Sequence, residues 1–194
     1  MGVILRFLRK LLVSLLSLGL LAALVISGFY LYVNYNDNFH EVQEGVVYRS
    51  AQLDGPALEN HITMQGIKSV INLRGANPDK DWYKTEFSIT KKNGITLIDI
   101  PLSSSQRIKP DEARAYVDLI SNAPKPVLIH CLNGSDRTGF ISAVYLIQNG
   151  VDEITASKQL ALRYGHFPHG PWVATKAMDD NLNDFINTLQ PGTD

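Results

Sequence analysis

The stretch Val127-Leu128-Ile129-His130-Cys131-Leu132-Asn133-Gly134-Ser135-Asp136-Arg137-Thr138-Gly139 sets the architecture of this chain. Behind Pro126, the short apolar run ending at His130 has the length and composition of a buried strand. From Gly139 to Gln148 the residues are apolar and stop at Asn149-Gly150, as a helix does. Between the two lies a loop that opens on Cys131, continues for five residues and ends in Arg137 and Thr138. The backbone N–H groups of Leu132 to Arg137 can curl around one tetrahedral oxyanion, with the positive end of the following helix aimed at the same point. The same field favours the thiolate of a cysteine placed at the start of the loop. Arg137 can grip two oxygens of such an anion with its planar fork, which lysine cannot do. Gly134 and Gly139 permit the turn and its close approach to the helix, and the Thr138 hydroxyl can reach the sulfur.

Working outward, Val46 to Arg49, Ile67 to Leu73 and Ile95 to Ile100 are β-branched and strand-like. Gly55 to Gln65, with Pro56 in its first turn and Gly66 after it, reads as a helix, as do 79–92, ended by Asn93-Gly94, and Pro110 to Asn122, which opens on Pro-Asp-Glu. A further helix is expected from Asp152 to about Tyr164, and a last one from Met178 to Leu189. Strands alternating with helices imply one α/β domain with a mostly parallel central sheet covered on both faces. Its expected limits are 46–194, with residues 34–45 as a polar linker.

The first 35 residues stand apart. Leu11 to Val33 is uncharged for 23 residues, and Arg6, Arg9 and Lys10 precede it. About 20 apolar residues suffice to cross a bilayer. The charge asymmetry predicts a single-pass helix over 11–33, with residues 1–10 as a cytosolic basic tip and the domain on the non-cytosolic side. Tyr30, Tyr32 and Tyr35 fall where an interfacial aromatic belt would lie. A cleaved signal peptide competes, but its apolar core would be shorter and no clear cleavage site follows.

Composition narrows the chemistry further. The net charge of −1 over 194 residues, with 15 basic and 19 acidic residues remaining after the first 35, gives no support to a nucleic-acid partner. A single cysteine excludes an internal disulfide and a four-cysteine zinc site. A lone cysteine is most often a buried hydrophobe, and only its setting argues otherwise.

That setting resembles the signature loop of the cysteine-dependent protein tyrosine phosphatases: His-Cys, five residues, Arg, Ser/Thr, Gly. The dual-specificity branch, in its bacterial and atypical plant and fungal forms, is the nearer likeness, because Val47-Tyr48-Arg49-Ser50 and Gly66 to Arg74 resemble its first two strands. The resemblance spans roughly residues 45–165. It implies hydrolysis of a phosphate monoester by attack of Cys131 on phosphorus and hydrolysis of the phosphocysteine, with Leu132, Asn133, Gly134, Ser135, Asp136, Arg137 and Thr138 around the phosphate. It implies no metal or cofactor. A phosphorylated protein (Tyr or Ser/Thr) and a monophosphorylated lipid or small molecule both remain as substrates. Leu132 to Asp136 contain no Lys or Arg, which disfavours a multiply phosphorylated head group.

The proton donor is a choice between two aspartates. The loop after Ile100 reads Pro101-Leu102-Ser103-Ser104-Ser105-Gln106 and holds no carboxylate. Asp99 is suitably spaced but lies within its strand. Asp136 precedes Arg137 directly, as in some members whose acid is at that position, and it is preferred here. Its alternative role is to orient Arg137 or cap the helix. His130 is expected to face away from Cys131 and bond to neighbouring backbone. Arg74 either lines the cleft or joins a surface ion pair, and Trp82 and Trp172 read as packing residues. His166 and His169 lack a third metal ligand and suggest a turn-rich loop at the rim. Two rival functions remain: a rhodanese-like sulfurtransferase and a module that recognises phosphate without turnover.

Overall fold

The structure, a computed structural model, describes residues 2–167 and 174–189, and it divides into two compact units, 1–36 and 37–194. The first unit is one helix, α1 (Gly2–Tyr35). Its segment Arg6–Val33 is long and apolar enough to cross a membrane. Its leucines are largely exposed, as a helix facing lipid would leave them.

The second unit is built on a five-stranded sheet: β1 (His40–Gln43), β2 (Val47–Ser50), β3 (Ser69–Asn72), β4 (Thr96–Asp99) and β5 (Val127–His130), in the order β1-β2-β5-β3-β4. β2, β5, β3 and β4 run parallel and β1 is antiparallel to β2. The predicted mostly parallel sheet is therefore present, with one antiparallel edge. Between the strands lie α2 (Gly55–Gln65), α3 (Asp81–Lys92) and α4 (Pro110–Asn122), and after β5 come α5 (Asp136–Gln148), α6 (Glu153–Ser157), a 3-10 turn at Leu162–Tyr164 and α7 (Lys176–Asn187). Asp54 caps α2 by accepting from the Ala57 N–H, and Gly66 ends it in the left-handed region.

Strand alternation divides the core into two clusters. Val47, Ile71, Val127 and Ile129 pack with Val117 and Ile120 of α4, Phe140 and Val144 of α5 and Phe185 of α7. Tyr48, Val70 and Leu128 point the other way, onto Leu58 and Ile62 of α2. Continuing the parity, Cys131 belongs to the first cluster and His130 to the opposite face, as expected.

Three boundaries differ from the sequence reading. Residues 34–45 are not wholly a linker, since β1 lies within them. An edge strand with one half-buried face needs few apolar residues, and Val42 is its only one. α5 begins at Asp136 rather than Gly139, so Asp136 and Arg137 occupy its first turn. The helix expected from Asp152 to Tyr164 stops at Ser157. There the Gln159 carbonyl packs so tightly against Gly139 that a Cβ on that glycine would lie 2.6 Å from it. Arg49 also donates to it at 2.8 Å, and the N–H groups of Lys158, Gln159 and Leu160 bond three residues back rather than four, which ends the α-helical ladder. His169 and Trp172 lie outside the described residues.

Phe185 is fully buried and joins α7 to the larger cluster. Phe185→Ala is expected to destabilise the domain by about 3–5 kcal/mol, read from denaturant unfolding of the detergent-solubilised chain.

Candidate active site

The parallel register brings four strand ends level: Ser50 of β2, His130 of β5, Asn72 of β3 and Asp99 of β4. Cys131 follows immediately at the centre of this edge and is 3 % exposed. The loop 131–135 then leads into α5. Gly134 has φ +71°, and a Cβ there would lie 2.7 Å from the backbone of Ser50 and Ala51. Only glycine satisfies both the left-handed backbone and that contact.

The loop is held from outside through its carbonyls. The Gln52 N–H donates to the Leu132 carbonyl at 3.0 Å. Asn38 Nδ2 donates to the Asn133 carbonyl at 2.8 Å and to the Tyr164 carbonyl at 2.9 Å. Arg49, fully buried, donates through one nitrogen to the Gly134 carbonyl and through the other to the Gln159 carbonyl and side chain, and stacks 3.8 Å from the Tyr164 ring. No carboxylate pairs with Arg49 among the described residues. Burial pushes its pKa down to about 10, against the attraction of Tyr164 and Cys131.

Arg137 reaches across the edge, donating from one terminal nitrogen to the carbonyls of Leu73, 3.2 Å, and Leu102, 3.1 Å. Arg137 is thereby tied to the segments that follow β3 and β4, on either side of the strand end that carries Cys131. The Thr138 hydroxyl is buried and makes no hydrogen bond among the described residues. Leu132 is half exposed at the rim.

The two candidate proton donors have different surroundings. Asp99 has both oxygens engaged, by Asn72 Nδ2 at 2.7 Å and by the Tyr83 hydroxyl. Burial and this bond push the Tyr83 pKa up to about 12. Asp136 has one oxygen engaged: Oδ1 is 2.7 Å from Nδ1 of His166, whose Nε2 is 3.0 Å from Asp179 of α7. His166 is completely buried. Burial alone would lower its pKa, but the two carboxylates outweigh it and raise the value to about 9, so the ring is an imidazolium at neutral pH.

Against this geometry, the family model of a DSP-PTPase phosphatase fused to NAD+ kinase matches residues 26–169. The chain belongs to that family. Its fold is also that of solved phosphatases. TpbA of P. aeruginosa shares 17% identity over 81% of this chain and 94% of its own, with a TM-score of 0.59. The core catalytic domain of the S. cerevisiae PP-IP phosphatase SIW14, in complex with citrate, shares 20% over 78% and 90%, TM-score 0.59. Tk-PTP in its active form shares 16% over 77% and 97%, TM-score 0.56. No curated protein gives a significant match.

Several residues of this DSP-PTPase domain differ from their expected surroundings. His166, expected in a turn-rich loop at the rim, is completely buried and lies between the part-exposed carboxylates of Asp136 and Asp179. Arg74 forms no ion pair among the described residues; it donates to Gln52 at 3.0 Å and stacks 3.6 Å over Trp82. His130 meets the Cys131 carbonyl at 3.3 Å, as expected of a backbone partner, while its Nε2 lies 2.9 Å from Glu86. Glu86, buried on α3, also accepts from Gln52 at 3.1 Å. It was detectable only as a charged residue on the apolar side of that helix, with Tyr83 and Thr90. Asn38, Arg49 and Asp179 carried no signal of their own beyond the Val47 to Ser50 likeness that contains Arg49.

Because the folded pKa of His166 is raised above its ordinary 6.5, its stabilising contribution is complete below about pH 6.5 and is lost as pH rises through about 9. The Tm difference between the native chain and His166→Gln should therefore shrink over that interval, as measured by thermal unfolding across a pH series.

Proposed function

We propose that this chain hydrolyses phosphate monoesters through a phosphocysteine on Cys131. The observation that carries the reading is the juxtaposition of a buried Cys131 at the end of the central strand with Arg137 in the first turn of α5, around a loop whose carbonyls are bonded outward. The Cys131 thiolate attacks phosphorus while Arg137 and the loop amides, Leu132 to Thr138, hold the phosphoryl oxygens. The bond between phosphorus and the leaving oxygen breaks, and that oxygen takes a proton from Asp136. Water then attacks the phosphocysteine, giving its proton to Asp136 and releasing phosphate and the Cys131 thiolate. The Thr138 hydroxyl is suited to stabilising the departing sulfur.

Asp136 is favoured over Asp99 by the number of free oxygens. One oxygen of Asp136 is left to carry the proton, and the carboxylate formed on release faces the His166 imidazolium. At Asp99 both oxygens already accept hydrogen bonds, from Asn72 and from the Tyr83 hydroxyl.

The substrate is read as a phosphoprotein or a monophosphorylated lipid or small molecule. A TpbA variant has been solved in complex with pTyr, which supports an aryl phosphate. Residues 132–136 supply no cation for further phosphates. We also read 11–33 as a transmembrane anchor with its N-terminus in the cytosol and the phosphatase domain on the other side. The apolar helix and the cations before it support this.

Turnover of an aryl phosphate by the full chain tests the chemistry. Cys131→Ser should abolish it, and Asp136→Ala should lower kcat by roughly 10²–10⁴ while Asp99→Ala has a smaller effect. An active Cys131→Ser protein would sink the proposal, and the reverse order of the aspartates would overturn the choice of acid. For topology, alkaline phosphatase fused after residue 194 should be active and a cytosolic reporter fused there should not.

A further inference from the structure

Three consecutive carbonyls of the loop, those of Leu132, Asn133 and Gly134, each accept a hydrogen bond from a group outside it: the Gln52 N–H, Asn38 Nδ2 and Arg49. The peptides of the loop are trans. In a planar trans peptide the C=O and the following N–H point in opposite directions. A carbonyl fixed outward therefore turns the next residue's N–H inward. The N–H groups of Asn133, Gly134 and Ser135 make no hydrogen bond to the described residues.

We propose that Asn38 and Arg49, with the Gln52 amide, are positioning groups of the phosphate cradle, aiming the Asn133, Gly134 and Ser135 amides at the bound oxyanion by holding the preceding carbonyls outward. The inference rests on the reading of 131–137 as an oxyanion site.

Two further observations support it. Asn38 is 2 % exposed and has φ +49°, beside Asp37 at φ +52°. The left-handed region disfavours a residue with a Cβ, although asparagine tolerates it best. This strained backbone delivers a buried amide to carbonyls of two separate segments, Asn133 and Tyr164. Strain of this kind persists where the surrounding structure needs what it positions. Arg49 is buried behind the loop, and no carboxylate among the described residues pairs with it. A bound phosphate or tungstate in front of the loop would supply the opposite charge, and the polarised Gly134 peptide would transmit the field.

Asn38→Gly separates positioning from folding, because glycine adopts φ +49° without strain and lacks the amide. Arg49→Lys keeps the charge, but a single ammonium cannot span Gln159 and Gly134 as the fork does. With the full chain in detergent, tungstate affinity by calorimetry and kcat/KM for p-nitrophenyl phosphate should both fall roughly tenfold or more in each variant. The Tm of Asn38→Gly should stay within about 4 °C of the native value. Tungstate affinity within about twofold of native in a folded Asn38→Gly would overturn the proposal.

A measurement on the native chain stands apart from any variant. On tungstate addition the amide resonances of Asn133, Gly134 and Ser135 should shift and become protected from exchange. A response confined to Arg137 would overturn the proposal. If the variants weaken tungstate binding but the native chain turns over no phosphate ester, the positioning role holds and the phosphatase reading falls.

Discussion

One register governs the edge where Cys131 and Arg137 are gathered. Ser50, His130, Asn72 and Asp99 end four parallel strands at the same level. Parallel strands send all their C-terminal loops to one side of a sheet, so groups far apart in sequence meet there. Cys131 emerges from the central strand, Arg137 bonds to the carbonyl that follows β3 and to another beyond β4, and Gln52 reaches the loop from beyond β2. A one-residue slip of β5 would turn Cys131 to the wrong face and leave His130 in its position.

Around that edge buried charge is arranged unequally. On the α3 side, Glu86 meets His130 and Gln52. On the α7 side, His166 joins Asp136 to Asp179 and so ties the first turn of α5 to the terminal helix. That helix also holds the segment after β4, since Asn181 accepts from the Ile108 N–H and donates to the Gln106 carbonyl, and Arg107 pairs with Asp180 and Asp184. The helix farthest along the chain thus supports two of the segments that border Cys131. Partial exposure makes the Arg107 pairs weak individually, whereas the His166 ring at the centre of the triad is shielded from water.

Much of this architecture was legible in the residues themselves. Short β-branched apolar runs identified the buried strands, Gly66 and Asn93 marked helix ends, and the spacing from Cys131 to Arg137 identified the loop. What escaped was nonlocal. Asn38 lies 95 residues from the carbonyl it holds, and His166 lies 30 from Asp136. No periodicity encodes such pairs; they exist only once the sheet has folded. β1 escaped because an edge strand buries little, and the close packing of the Gln159 carbonyl on Gly139 just beyond α6 joins segments 20 residues apart.

The solitary cysteine has a consequence for oxidative damage. A cysteine sulfenic acid usually returns to the thiol by forming a disulfide with a neighbouring thiol, which is then reduced. Among 194 residues Cys131 has no such neighbour. Its repair must come from a thiol on another molecule or from closure onto a backbone nitrogen of its own loop. Shielding therefore matters more here than recovery, and Cys131 is only 3 % exposed.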